Sequence, residues 1–434
     1  MKRSMNLSLA LFAISGSAFA MGMCPPAHIE QPIQQQIDQE KVSVQEQTPQ
    51  PVIDVVFVID TTGSMGGLIE GAKQKIWSIA NQIAQAQPAP IVRMGLVGYR
   101  DRGDDYVTTM TPLTDDIDTV YADLMSYQAR GGGDTPESVN EALFTAVERF
   151  DWTTQEDSLK LIYLVGDAPP KMGYKDDVKY QASCRLAYEQ GINVNTIQCG
   201  SLGGTKEVWQ EIAQLANGMF AAIQQDGGVV ARSTPYDEQI AKLDSQLNRT
   251  MVDYGSREVK ANQGLKRRQS DAIAMTASPE AAADRAVYNE SDAGLANRYG
   301  VQELVNDVAT GKVDLDEIEK EELPEELQSL TSEELKAEID RRQAKREELR
   351  ATIKDLAGQR AAFLLKTQPV SAIDGFDQKV FEALVKQGAV VGIDFDPEKE
   401  DSVEDTTKEE SDAEPTKEVS KEPVKEETKE SKKD

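Results

Sequence analysis

Residues 52–59 form an almost unbroken β-branched run, Val-Ile-Asp-Val-Val-Phe-Val-Ile, which stops at Asp60-Thr61-Thr62-Gly63-Ser64-Met65. A run of this kind suits a strand buried on both faces better than a half-exposed one. Gly66 and Gly67 follow, and then Leu68, Ala72, Ile76, Ile79 and Ile83 recur at helical spacing. One carboxylate and several hydroxyls therefore crowd a single strand-to-helix turn. Oxygen-only groups at such a turn suit a hard cation such as Mg²⁺ better than a soft one.

Further along the chain, apolar runs predict strands over 91–99, 106–110, 159–165, 192–198 and 219–223. Helical patterns fall between them, over 115–129, from Pro136 to about Phe150, and over 176–190 and 205–217. Thr234, Pro235 and Asp237 form a helix-start signature for a last helix running to Met251. Strands alternating with helices predict an α/β domain over 52–251, doubly wound around a mostly parallel six-stranded sheet with right-handed crossovers. In the common strand order 3-2-1-4-5-6, the first and fourth strands meet at the topological switch point, where ligands of open α/β sheets bind. Asp60 and Asp167 stand at the ends of those two strands. The loop Gly131-Gly132-Gly133-Asp134-Thr135 can reach the same edge.

Residues 252–400 are mainly helical in pattern. Thr331 and Glu334 make a capping box for a helix whose seam runs through Leu335, Ile339, Leu349, Ile353, Leu356 and Phe363. Arg342, Arg346 and Arg360 occupy seam positions, which favours a short helical hairpin packed on another surface over a coiled coil. A further helix is expected over 376–386 and a strand-like run over 389–395. Residues 401–434 carry thirteen acidic residues against seven lysines and no aromatic, a composition that predicts a disordered tail.

The formal net charge of -28 argues against nucleic acid and anionic membrane surfaces as partners. The single histidine, His28, removes Ser-His-Asp and Cys-His catalysis and His-ligated zinc from the folded part. Lys2 and Arg3, the apolar stretch 7–19 and Ala18-Phe19-Ala20 have the three parts of a signal peptide cleaved after Ala20. Export to a periplasmic or extracellular space is the expectation, with residues 21–51, rich in Gln and Pro, as a flexible linker. No later stretch reads as a transmembrane helix. Met23 stands where acylation at Cys24 would want a small residue, so lipoprotein anchoring is disfavoured. Cys184 and Cys199 are either a disulfide or two buried thiols; the sequence leaves both open.

The pattern Asp60-x-Thr62-x-Ser64, then Thr135 in a Gly-rich loop, then Asp167 after an apolar strand resembles the metal ion-dependent adhesion site of von Willebrand factor type A domains. The resemblance covers about 52–251 and implies a Rossmann-like sheet. It implies Asp60, Thr62, Ser64, Thr135 and Asp167 as the ligand set, with Thr62 in place of the commoner serine and Asp134 as the lesser candidate in the loop. The cation implied is Mg²⁺, with Mn²⁺ or Ca²⁺ as alternatives. Hydroxyl ligands leave the cation electrophilic, so a carboxylate from a partner protein would complete its shell. Taken singly, Asp60 and Ser64 could cap a helix, Thr135-Pro136 could start one and Asp167 could serve a turn. The set in this order favours the metal site. Tyr99-Arg100-Asp101-Arg102 reads as a solvated loop.

The leading expectation is a secreted partner-binding protein with an adhesion, assembly or scaffold role; the oligomeric state stays open. A metal-dependent hydrolase is the second reading. It lacks an aspartate two residues after Asp60, a histidine base, and a Walker-type or Gly-x-Gly-x-x-Gly loop. A structural envelope protein with a non-essential metal site is the third.

Overall fold

A computed structural model describes residues 50–133, 135–228, 232–367 and 375–395. The signal segment, most of the linker, Asp134 and the acidic tail fall outside these described residues.

Strands β1 (Val52–Asp60), β2 (Ile91–Tyr99), β3 (Thr108–Thr114), β4 (Ser158–Gly166), β5 (Ile192–Cys199) and β6 (Phe220–Ile223) form one sheet in the order β3-β2-β1-β4-β5-β6. Only β3 runs antiparallel to its neighbour. Alternate residues of β1 serve opposite faces. Ile53, Val55, Phe57 and Ile59 enter one apolar cluster, and Val56 and Val58 enter the other. That double burial is why the strand carries no polar alternation. The third strand lies further along than 106–110, because Pro112 interrupts the apolar pattern but is tolerated in an edge strand.

Helices α1 (Gly66–Ala84) and α2 (Ile117–Ser126) cover one face; α3 (Val139–Glu148), α4 (Tyr180–Glu189) and α5 (Thr205–Leu215) cover the other. Downstream come α6 (Asp237–Asn248), α7 (Arg257–Thr276), α8 (Pro279–Tyr288), α9 (Asp292–Tyr299), α10 (Leu304–Ala309), α11 (Ser332–Lys366) and α12 (Phe376–Gly388). The first face is completed by α12. Phe376 packs on Phe57 with ring centroids 6.1 Å apart. Tyr163 donates its hydroxyl to Val380 O at 2.9 Å, and the Asn195 and Gln387 amides pair reciprocally.

The seam on α11 belongs to one continuous 35-residue helix instead of a hairpin. The capping box at Thr331 and Glu334 forms. Leu335, Ile339, Leu349, Ile353 and Leu356 are buried. The arginines that interrupt the seam are accommodated by acids from elsewhere. Arg346 forks onto Glu303 at 2.9 and 3.0 Å, and Arg360 reaches Asp237 at 2.7 Å and Asp284 at 2.6 Å. A charge in the seam therefore needs no chain break. Arg285 of α8 likewise forks onto Asp118 of α2 at 2.6 Å for both bonds and donates to Asp244 of α6 at 2.9 Å.

The run 389–395 is not a strand: Ala389–Val391 is a 3₁₀ turn, and Asp394 makes an isolated bridge to Gln87. Cys184 and Cys199 are separate free thiols, in clusters on opposite faces of the sheet, so the disulfide is not formed. Burial pushes the Cys184 thiol up to about 12 and Cys199 upward as well, which makes both poor nucleophiles. Among the described residues, no helix is long and apolar enough to cross a membrane.

Candidate functional site

The C-terminal ends of β1 and β4 lie side by side, with Ile59 paired to Val165, so Asp60 and Asp167 emerge at one crevice. Asp60 is fully buried. Its Oδ1 accepts two bonds from Thr62, from the backbone N–H at 2.8 Å and from the hydroxyl at 2.6 Å. The Thr62 hydroxyl lies 3.4 Å from that of Ser64. Asp60 Oδ2 has no hydrogen-bond partner. Thr62 is buried and Ser64 exposed, so the set runs from the core to solvent within one turn.

Asp167 is buried, and its Oδ2 accepts from the Gln225 side chain at 2.7 Å. The same Gln225 nitrogen lies 3.3 Å from Ser64 O and so ties the two strand ends together. The glycine loop closes over the turn: Gly63 N donates to Gly131 O at 3.3 Å and Arg130 N to Thr61 O at 3.1 Å. Gly131 and Gly132 both have positive φ, 74° and 79°, and a Cβ on Gly132 would stand 3.1 Å from the Thr62 Cβ. Glycine is needed there for conformation and for close approach.

Thr135 stands exposed on this loop, and among the described residues no hydrogen bond ties it to the other four. The structure thus gathers Asp60, Thr62, Ser64 and Asp167, and brings the loop of Thr135 alongside them.

Glu137 is the site residue that sequence reasoning missed. It reads as the first turn of a helix, but α3 starts only at Val139. Glu137 N donates to Pro169 O at 3.0 Å, and its carbonyl accepts from Lys171 N at 2.7 Å. The residue is 3 % exposed and its Oε2 lacks a partner. Tyr99 also faces the crevice, its hydroxyl against Gly166 and unpartnered. Arg100 and Asp101 are buried, each only 4 % exposed, so this segment is no solvated loop. Asp101 accepts from Ser138, Lys171 and Tyr174, which locks the neighbouring loops together.

Crowded carboxylates set the electrostatics. Burial, with Asp167 adding to it, pushes Asp60 up to about 7 against the two bonds from Thr62. Burial and then the charges of Asp60, Asp101, Asp104 and Asp167 push Glu137 up to about 8. Burial and then the charges of Asp60, Asp167 and Glu137 raise Tyr99. Unpartnered carboxylate oxygens in a buried acidic crevice are what a cation would neutralise. The donors are all oxygen, from two carboxylates and neighbouring hydroxyls, and fit Mg²⁺ better than zinc or copper. Among the described residues no cluster of three His, Cys, Asp or Glu side chains is arranged to hold a metal. Any cation here must therefore rely on the hydroxyls.

The fold and crevice define a doubly wound α/β domain with an oxygen-donor site at its switch point. More particularly, residues 54–231 match the profile of the von Willebrand factor A domain, and the chain carries such a domain. The rat von Willebrand factor A domain-containing protein 7 is 32% identical over 142 residues, covering 32% of this chain and 15% of that protein. The mouse protein of the same name is 36% identical over 121 residues, 28% of this chain and 12% of the relative. The chain thus spans a small part of these relatives. Among solved structures, a von Willebrand factor type A protein from Catenulispora acidiphila aligns with a TM-score of 0.33 at 14% identity, over 42% of this chain and 40% of that one. Proximal thread matrix protein 1 from the mussel byssus, with a zinc-occupied MIDAS motif, aligns with a TM-score of 0.32 at 18% identity, over 41% and 43%.

Proposed function

We propose that this is an exported protein, periplasmic in a bacterial setting, whose von Willebrand factor A domain binds a partner protein through a divalent cation. Mg²⁺ is the cation of choice, held by Asp60, Thr62, Ser64, Thr135 and Asp167. A carboxylate of the partner completes its shell. The observation that carries this reading is the buried Asp60 carboxylate: one oxygen is taken up by Thr62 and the other, Oδ2, has no partner in a crevice shared with Asp167. The signal-like sequence 1–20 supports export. The packed helical region serves as scaffold.

When bound, the cation supplies Lewis acidity toward a ligand carboxylate. Thr62 positions Asp60, the glycine loop keeps the turn closed, and Gln225 orients Asp167. Capture of a partner from envelope extract in Mg²⁺ tests the reading. Retention should vanish with EDTA and with Asp60→Ala, and retention unchanged in both would sink it.

One observation favours metal-assisted hydrolysis as a second reading. Glu137 offers a buried, unpartnered carboxylate oxygen in the same crevice, available as a base where histidine is missing. Phosphoester turnover that disappears in both Asp60→Ala and Glu137→Gln would establish it.

A further inference from the structure

Beside the cation turn lies a cleft of about 220 Å³, lined among others by Arg100, Asp105, Tyr106, Thr109, Tyr127 and Arg130. We propose that this cleft is a carboxylate subsite, and that the domain's ligand is an acidic peptide segment bearing two carboxylates, one for the cation and one for Arg130. The inference rests on the cation reading above and names the ligand class for it.

One residue of the cation turn, Thr61, is hydrogen-bonded to the wall of the cleft. Thr61 O accepts from Arg130 N at 3.1 Å and from Arg100 Nε at 3.2 Å, and Thr61 Oγ1 lies 2.7 Å from the Tyr106 hydroxyl. Thr61 sits between Asp60 and Thr62, so three residues of the cleft wall are fixed directly to the ligand-bearing turn. The two arginines have different duties. Arg100 is buried, stacked 4.4 Å above the Tyr106 ring, and also donates to Gln128 O at 2.8 Å; it is a fixed positive wall. Arg130 is exposed, and among the described residues its guanidinium has no hydrogen bond, ion pair or ring contact, while its backbone is pinned.

Local charge runs against the rest of the molecule. In a chain of net charge -28, this cleft has two guanidiniums against one carboxylate, Asp105. The Asp105 side chain is 80% exposed and 3.4 Å from the buried Arg100, so this carboxylate is largely screened by solvent and adds little negative field to the cleft. A guanidinium fork matches a carboxylate in plane and spacing. The rings of Tyr106 and Tyr127 offer an apolar wall to the methylene stem of a glutamate. The two subsites flank Thr61, and peptides with one to three spacer residues, each adding about 3.3–3.6 Å of extended chain, sample the separation.

The test uses the full chain in Mg²⁺ and acetylated, amidated peptides of the form Asp-(Gly)n-Glu, with one to three glycines. Each is compared with its Asp-(Gly)n-Gln counterpart by ligand-observed NMR titration. The wild type should bind the best Glu peptide about three- to fivefold tighter than its Gln counterpart. Arg130→Gln should erase that preference and leave the Gln-peptide affinity unchanged, and Arg130→Lys should restore part of it. Equal binding of Glu and Gln peptides at every spacing, no binding of any of them, or a preference that persists in Arg130→Gln would overturn the subsite. Asp60→Ala separates the two ideas. If it leaves all peptide binding intact, the cation reading fails; if it abolishes binding while Arg130→Gln has no effect, only the subsite fails.

Discussion

Thr62 donates both its backbone N–H and its hydroxyl to Oδ1 of Asp60, at 2.8 and 2.6 Å, and Oδ2 of the same carboxylate is left without a partner. One oxygen is thereby fixed and the other is buried and unpaired beside Gly166.

This arrangement makes cation binding and stability pH-linked. In metal-free protein, Asp60 titrates near 7 and Glu137 near 8, both above their ordinary values near 4. Carboxyls with raised folded values bind protons more tightly when folded, so their penalty is absent at low pH. Stability should fall as pH rises from about 4 to 8. A cation relieves that penalty. The rise in melting temperature from Mg²⁺ over EDTA should be larger at pH 8 than at pH 5.5 by differential scanning calorimetry, and an equal rise at both would contradict it.

Glu303 holds four hydrogen bonds within the helical region. It receives both guanidinium bonds of Arg346, and it accepts from Val252 N and Asn306 N at 2.8 Å each. Side chains on both sides of the pair are almost fully buried. Glu303→Ala would strand the Arg346 charge and should cost about 3–5 kcal/mol in urea unfolding. Adding Arg346→Met should recover part of that loss, because the stranded charge is gone.

Phe376 closes the sheet face against Phe57 and is 2 % exposed. Phe376→Ala should cost about 3–5 kcal/mol. The loss should appear in unfolding of the α/β domain itself, read through tertiary circular dichroism, because α12 belongs to that core. A loss confined to a separate helical transition would show that the packing is not shared.

Much of this was legible in the chain. The β-branched run ending in Asp60 and the apolar run ending before Asp167 mark two buried strands, and the connection pattern puts their ends together. The hydroxyls of Thr62 and Ser64 follow from position alone, since they lie within one turn of Asp60. Glu137 was masked because a residue after Thr-Pro reads as a helix start, whereas here its backbone is diverted to Pro169 and Lys171, about thirty residues away. Asp101 looked solvated because its partners Ser138, Lys171 and Tyr174 come from distant loops. Nothing local to 376–388 says that it covers Phe57. Periodicity gives an element its apolar face, and only the tertiary fold supplies the partner for that face.

The central claim is that the Asp60 turn holds a divalent cation. Mn²⁺ is a paramagnetic stand-in for Mg²⁺, and electron paramagnetic resonance counts it directly. The account predicts one Mn²⁺ per chain above the weak binding expected of so acidic a surface, displaced by Mg²⁺ and lost in Asp60→Ala. The same specific Mn²⁺ remaining in Asp60→Ala, or none in the wild type, would contradict it.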